Sequence, residues 1–139
     1  MGERTSETGK LVERFIECTL PKAEWTHQAH LRVGLWHVVN HGPAAALPLL
    51  RERISRYNES VGTINSDTSG YHETVTTFYV KAIAATVADC SQAMAIDDLA
   101  ALVIERIGAK EYPLRYYSKE RLFSADARRQ WVPPDLQSL

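Results

Sequence analysis

Apolar residues recur along most of the chain at the three- and four-residue spacing of amphipathic helices, whereas the alternating pattern of β-strands is weak. The first of these helical patterns covers 7–19, carries Val12 and Phe15 on its apolar face, and is closed by Leu20-Pro21. Similar patterns over 27–41, from Pro43 to about Tyr57, over 70–89 and over 96–108 predict four further main helices.

The ends of these patterns carry the residues that begin and end helices. Thr26 is a suitable N-cap for the 27–41 helix, and Gly42-Pro43 closes that helix and opens the next. Pro48 must lie in the first turn of the third helix or bend it. The sequence therefore predicts an all-α fold: a single-domain bundle over 1–139 with about five main helices, short C-terminal helices, and loose ends at 1–6 and 137–139.

Composition and charge narrow the class of protein. The 139 residues include 45% hydrophobic and 24% charged residues, which is ordinary for one globular domain. The net charge of −1 provides no basic surface for nucleic acid or an anionic membrane. No apolar run approaches the ~20 residues of a membrane span, and the polar start lacks the apolar core of a secretory signal.

Cysteine usage points to the same kind of protein. Cys18 and Cys90 lie in unrelated segments and form no CxxC pair. We expect them to be reduced, buried thiols of a cytoplasmic protein. A small molecule is the expected partner, and a homodimer is the default oligomeric state.

The candidate chemistry begins with a histidine stripe on the second predicted helix. Four of the five histidines, His27, His30, His37 and His41, lie within an arc of about 80° on this helix. Gly34 lies inside the stripe, where a missing side chain leaves room for a ligand or another helix. The stripe borders the predicted apolar face, formed by Leu31, Leu35, Val38 and Val39.

Helix geometry divides the stripe into two pairs. His27 and His30 have the i, i+3 spacing, and His37 and His41 the i, i+4 spacing, that place two imidazoles on one metal. The pairs lie too far apart along the helix for one ion to take all four. We favour His27 and His30 as ligands because they lie at a helix start, while the roles of His37 and His41 stay open.

A second group, His72 and Glu73, lies at the start of the fourth predicted helix. His27, His30 and His72 with Glu73 as general base would form a catalytic zinc site with an open position. Two histidines with Glu73 as a ligand would instead suit iron(II). The sequence does not decide between zinc and iron. A purely structural alternative for Glu73 is a favourable interaction of its carboxylate with the positive N-terminal end of the helix dipole.

Further residues are candidates for binding a substrate. Arg32 and Arg128 are able to clamp an anionic group, Tyr116 lies among arginines, and the Thr76 hydroxyl is able to line a polar pocket. Such arginines are more often surface charges. The polar stretch 58–70 is longer than an ordinary loop, and we expect it to cover part of the site.

Several of these motifs occur together in a known group of sequences. The WTHQAHL motif around His27 and His30, the YHET motif of 71–74, and a tail with YYS at 116–118 followed by Ser124, Arg128 and Trp131 resemble a family of small bacterial proteins without an assigned activity. The resemblance covers most of the chain in the same order. It implies that His27, His30, His72 and Glu73 belong together, and it implies no reaction.

Three functions fit these observations. The first is a metal-dependent enzyme with zinc or iron held between helices. The second is a metal-free enzyme that uses the same histidines and Glu73 as acid and base. The third is a non-catalytic helical module that binds a small ligand or a protein, with structural histidines.

Overall fold

The structure is a computed structural model that describes residues 6–90 and 93–139. Over these residues the chain forms helices and no strand, and five main helices pack on one another, so the predicted helical bundle is confirmed. The helices are α1 (Glu7–Ile16), α2 (His27–His41), α3 (Pro43–Ser60), α4 (Glu73–Ala88), α5 (Ile96–Ile107), α6 (Lys119–Leu122) and α7 (Ala125–Arg129), with 3₁₀ turns at Lys22–Glu24 and Tyr112–Arg115.

Helix α2 lies at the centre of the bundle and contacts α1, α3, α4 and α5. Its predicted apolar face is correct for Leu31, Leu35 and Val38, which are buried, but wrong for Val39, which is 39% exposed. Val33, outside that face, is fully buried. A helix surrounded by four others is buried around most of its circumference, so a single apolar stripe does not describe it.

The residues that end α2 and begin α2 and α3 are the predicted ones. The Thr26 side chain accepts a hydrogen bond from the Ala29 amide, Gly42 has the positive φ of 81°, and Pro43 is the first residue of α3. Pro48 lies beyond the first turn of α3, so the first-turn alternative is wrong. The helix nevertheless continues to Ser60.

Helix α1 ends three residues earlier than predicted. Cys18 adopts a left-handed conformation with φ of 60°, and the amides of Cys18 and Thr19 donate to the carbonyls of Phe15 and Arg14. This is the Schellman ending that glycine usually provides. A cysteine, unlike a glycine, does not indicate a left-handed helix end, so the sequence pattern predicted a helix that continues to residue 19. Both cysteines are free and only half-buried.

The C-terminal segment packs against α4. Phe78 of α4 forms a second apolar cluster with Tyr117 and Leu122. Thr74 donates a hydrogen bond to the Gln130 carbonyl and accepts one from the amide of Val132. These contacts hold the tail on the helix that begins at Glu73.

Hydrogen bonds are formed near both described ends of the chain. Ser6 is the N-cap of α1, and its hydroxyl accepts a hydrogen bond from the Gly9 amide. Gln137 donates a hydrogen bond to the Arg115 carbonyl. Residues 1–5 of the predicted loose start lie outside the described part. Among the described helices, none is long and apolar enough to cross a membrane.

His37 is a fully buried polar residue of the core. Its Nδ1–H donates to the Val33 carbonyl at 2.8 Å, and its Nε2 accepts from Arg53 Nη1 at 2.8 Å. The pKa of His37 is lowered to about 4, chiefly by burial, and the nearby charges of Arg53 and His41 act in the same direction. His37 is thus a neutral structural residue that joins α2 to α3.

This arrangement predicts an acid-sensitive contribution to stability. Unfolded His37 takes up a proton near pH 6.5, whereas the folded residue stays neutral to about pH 4, so stability is complete above pH 6.5 and falls as the pH drops towards 4. We expect His37→Gln to remove about 2–3 kcal/mol of the loss between about pH 7.5 and about pH 4.5. Urea unfolding at both pH values measures it, with exposed His41→Gln as control. Equal losses in all three proteins would contradict this role.

Candidate functional site

A cavity of about 370 Å³ lies between α2, α3 and α4. Its polar lining residues are two histidines of α2 and a threonine and a tyrosine of α4, and the described lining includes no Asp, Glu, Lys or Arg. The rest of the wall is apolar apart from a glycine. The lining residues are His27, His30, Leu31, Gly34, Leu50, Ile54, Val75, Thr76, Tyr79, Val80 and Ile83.

Gly34 of α2 lies close to α4 in the cavity wall. A Cβ added at Gly34 would lie 3.1 Å from Ile83 Cδ1, which is tighter than ordinary packing. The sequence predicts that the missing side chain leaves room for a ligand or another helix, and in the structure Gly34 faces Ile83 of α4 and lines the cavity.

His30 presents one free ring nitrogen. Its Nδ1–H donates to the Thr26 carbonyl at 2.7 Å, and its ring stacks on Trp25 with centroids 3.7 Å apart. Nε2 makes no hydrogen bond with any residue that the structure describes. Desolvation by the surrounding atoms lowers the pKa of His30, although part of its side chain is exposed to solvent. The residue is a neutral hydrogen-bond acceptor.

His27 and Tyr79 form a second polar group in the same wall. Their rings meet edge-to-face at 5.8 Å, and neither His27 Nε2 nor the Tyr79 hydroxyl has a hydrogen-bond partner among the described residues, although both atoms are buried. Burial lowers the pKa of His27, and the backbone of Gly108 opposes this. Burial raises the pKa of Tyr79 to about 12.

The structure does not bring His72 to the other two predicted metal ligands. His72 is the N-cap of α4: its Nδ1 accepts from the Val75 amide, and its Nε2–H donates to the Leu122 carbonyl at 2.8 Å. Both ring nitrogens are therefore occupied and leave no lone pair for an ion. Within residues 6–90 and 93–139, no group of three or more His, Cys, Asp or Glu residues is placed to hold a metal. Of the three predicted ligands, His27 and His30 line the cavity and His72 does not.

Glu73 lies at the start of α4 but points to a different partner from the one predicted. Arg51 of α3 binds it through two hydrogen bonds of 2.9 and 2.7 Å, and the Tyr71 hydroxyl donates a third. The Arg51 guanidinium holds the pKa of Glu73 below its usual value. A carboxylate so stabilised is a poor general base. The Glu73–Arg51 pair therefore links the start of α4 to α3.

Of the predicted substrate-binding residues, only Thr76 lines the cavity. Arg32 bonds the Thr8 hydroxyl and lies 3.8 Å from Asp97, so it joins α2 to α1 and α5. Tyr116 packs near Phe78 with its hydroxyl 3.4 Å from that of Tyr112. Arg128 donates to the Gly70 carbonyl at 2.8 Å and so anchors the loop before α4.

The remaining sequence features lie away from the cavity. His41 is exposed at the end of α2 beside Trp36. None of the residues of the polar stretch 58–70 lines the cavity, so the expected cover over the site is not formed. Asn65 explains the order of this loop: it accepts from Asn58 and from the Tyr71 amide, and donates to the Ser55 carbonyl.

Two parts of the site were missed from the sequence. Trp25 precedes the N-cap of α2 and stacks on His30. Tyr79 follows Thr76 by one helical turn, so the spacing of Val75, Thr76, Tyr79 and Ile83 was the signal that one face of α4 forms a wall. Comparisons of the chain with protein-family models, with curated proteins and with solved structures found no match.

The position of His72 predicts a structural effect of its removal. His72→Ala deletes the N-cap bond to Val75 and the bond to Leu122, so we expect the free energy of unfolding to fall by about 2 kcal/mol. Urea unfolding measures this loss, with His41→Ala as an exposed histidine of matched size change. A His72→Ala protein as stable as the His41→Ala control would be inconsistent with this role.

Proposed function

We propose that this protein binds a small, largely apolar molecule in the cavity between α2, α3 and α4. One observation carries the proposal: the cavity is lined by apolar side chains and by His27, His30 and Tyr79, and no described residue pairs Nε2 of either histidine or the Tyr79 hydroxyl. Ligand sites in proteins are commonly of this kind, with apolar walls and a few polar groups that orient the ligand.

The size of the cavity supports a ligand rather than a packing defect. Its volume of about 370 Å³ falls in the range of about 300–1,000 Å³ typical of small-molecule sites. An engineered apolar cavity of about 150 Å³ already binds benzene. A monocyclic aromatic hydrocarbon is therefore a suitable first probe.

Acid–base catalysis at the same cavity is the less favoured alternative. Glu73, the expected base, is bound by Arg51. His30 has a lowered pKa, which makes the free imidazole a weak base. The observed groups are better suited to accepting a hydrogen bond than to taking a proton.

The binding function is tested with p-xylene by isothermal titration calorimetry. We expect saturable binding to the wild-type protein, and affinity at least about tenfold lower in Gly34→Leu, because the added side chain occupies the cavity beside Ile83. Ala101→Leu, an addition of similar size at an exposed position of α5, should bind p-xylene as the wild type does. Circular dichroism confirms that both variants fold.

The outcomes separate the proposal from its alternatives. Binding that is equal in the wild type and a folded Gly34→Leu variant would place p-xylene elsewhere on the protein. No saturable binding up to the solubility of p-xylene would overturn the proposed function.

A second candidate is a metal-dependent enzyme with zinc or iron at His27 and His30. The observation that favours it is that His27 and His30 line one cavity, that neither Nε2 is paired by a described residue, and that Nδ1–H of His30 donates to the Thr26 carbonyl. Metal-binding histidines are commonly held in this way by their other nitrogen. The bound ion would polarise water for attack on a small substrate, with the remaining positions open.

Metal analysis of protein purified without an affinity tag and then titrated with Zn²⁺ or Fe²⁺ tests this candidate. We expect about one ion per chain in the wild type and in His72→Ala, and its loss in His30→Ala. His72→Ala is the matched control because both of its ring nitrogens are engaged with the backbone. Absence of stoichiometric metal in the wild type under every reconstitution condition would sink the second candidate.

A further inference from the structure

We infer that the ligand of this cavity is uncharged and carries a hydroxyl or N–H group that donates a hydrogen bond to His30 Nε2. The inference rests on the proposed function, because it names the chemical class of the molecule bound there. It follows from the tautomer of His30, from the absence of charge in the lining, and from the unpaired atoms of His27 and Tyr79.

The tautomer of His30 decides what its free nitrogen is able to do. A carbonyl oxygen only accepts hydrogen bonds, so the 2.7 Å contact with Thr26 places the proton of the neutral ring on Nδ1. Nε2 then carries a lone pair and no proton. A ligand group that meets this nitrogen must therefore donate.

The lining also selects against charge. No described lining residue is Asp, Glu, Lys or Arg, and the nearby Arg51 and Glu73 already satisfy each other through two hydrogen bonds. A carboxylate or an ammonium group moved into such a cavity would lose its hydration without gaining a counter-ion. A neutral donor avoids that cost.

His27 and Tyr79 supply a second, independent observation. His27 Nε2 and the Tyr79 hydroxyl are both buried without partners among the described residues. Unpaired buried groups are costly, by roughly 1–3 kcal/mol each. A hydroxyl both donates and accepts hydrogen bonds, so it is a group that would pair with either atom after a side-chain rotation.

Matched probes of one shape test the inference at about pH 8, where free histidines are neutral. p-Cresol and p-xylene differ only in the exchange of a hydroxyl for a methyl group, and p-toluate and 4-methylbenzylammonium add either charge. Isothermal titration calorimetry should show p-cresol binding about tenfold more tightly than p-xylene. Both ions should bind at least about tenfold more weakly than p-cresol.

Two variants locate the preference. His30→Leu should reduce the p-cresol to p-xylene affinity ratio to about one while p-xylene still binds. His41→Leu, at an exposed histidine of the same helix, should leave the ratio unchanged. Tyr79→Phe is a milder variant that keeps the ring, and it should lower p-cresol affinity more than p-xylene affinity.

The results test the inference about the ligand's chemistry separately from the proposed binding function. If p-xylene binds and p-cresol binds no more tightly, or if either ion is preferred, the inference is overturned and the binding function stands. A preference for p-cresol that survives in a folded His30→Leu variant would also overturn it. If none of the four probes binds, the inference fails together with the proposed function.

Discussion

The bundle depends on the burial of α2, a helix rich in histidine, among four other helices. A buried imidazole is costly unless its N–H is paired and its charge is suppressed. Helix α2 pairs such N–H groups with its own backbone: the buried His37 and the more exposed His30 each donate Nδ1–H to the carbonyl four residues earlier, on Val33 and Thr26. Desolvation lowers the pKa of both rings and so favours the neutral form, although the bonds to the backbone carbonyls act in the opposite direction.

The same bond leads to two different roles. Arg53 of α3 reaches Nε2 of His37, and the residue becomes part of the core. No described residue reaches Nε2 of His30, which lines the cavity instead. His30 and His37 make the same backbone bond, so their different roles come from the neighbouring helix, which supplies a partner for Nε2 of His37 and, in the described part of the chain, none for Nε2 of His30.

The YHET motif and the YYS motif of the tail have a structural explanation outside the cavity. His72 and Thr74 of the YHET motif bond the backbone near Leu122 and Gln130, and Ser118 bonds Asp135 through its amide and hydroxyl. These bonds fasten the C-terminal tail to the start of α4. They hold in place the helix that forms one wall of the cavity, so motif residues without contact to a ligand still support the site.

Local patterns in the sequence were sufficient for the helices, because spacing and capping act over a few residues: α2 begins and ends where Thr26 and Gly42 predict. The left-handed Cys18 was not foreseen, since its conformation has no residue-type signal. His27 and His30 were found by their spacing on one turn. Only the tertiary structure decided that His72 bonds the Leu122 carbonyl, that Glu73 bonds Arg51, and that Tyr79 lines the cavity. Those pairings cross between helices, and helix periodicity carries no information about which neighbour a side chain meets.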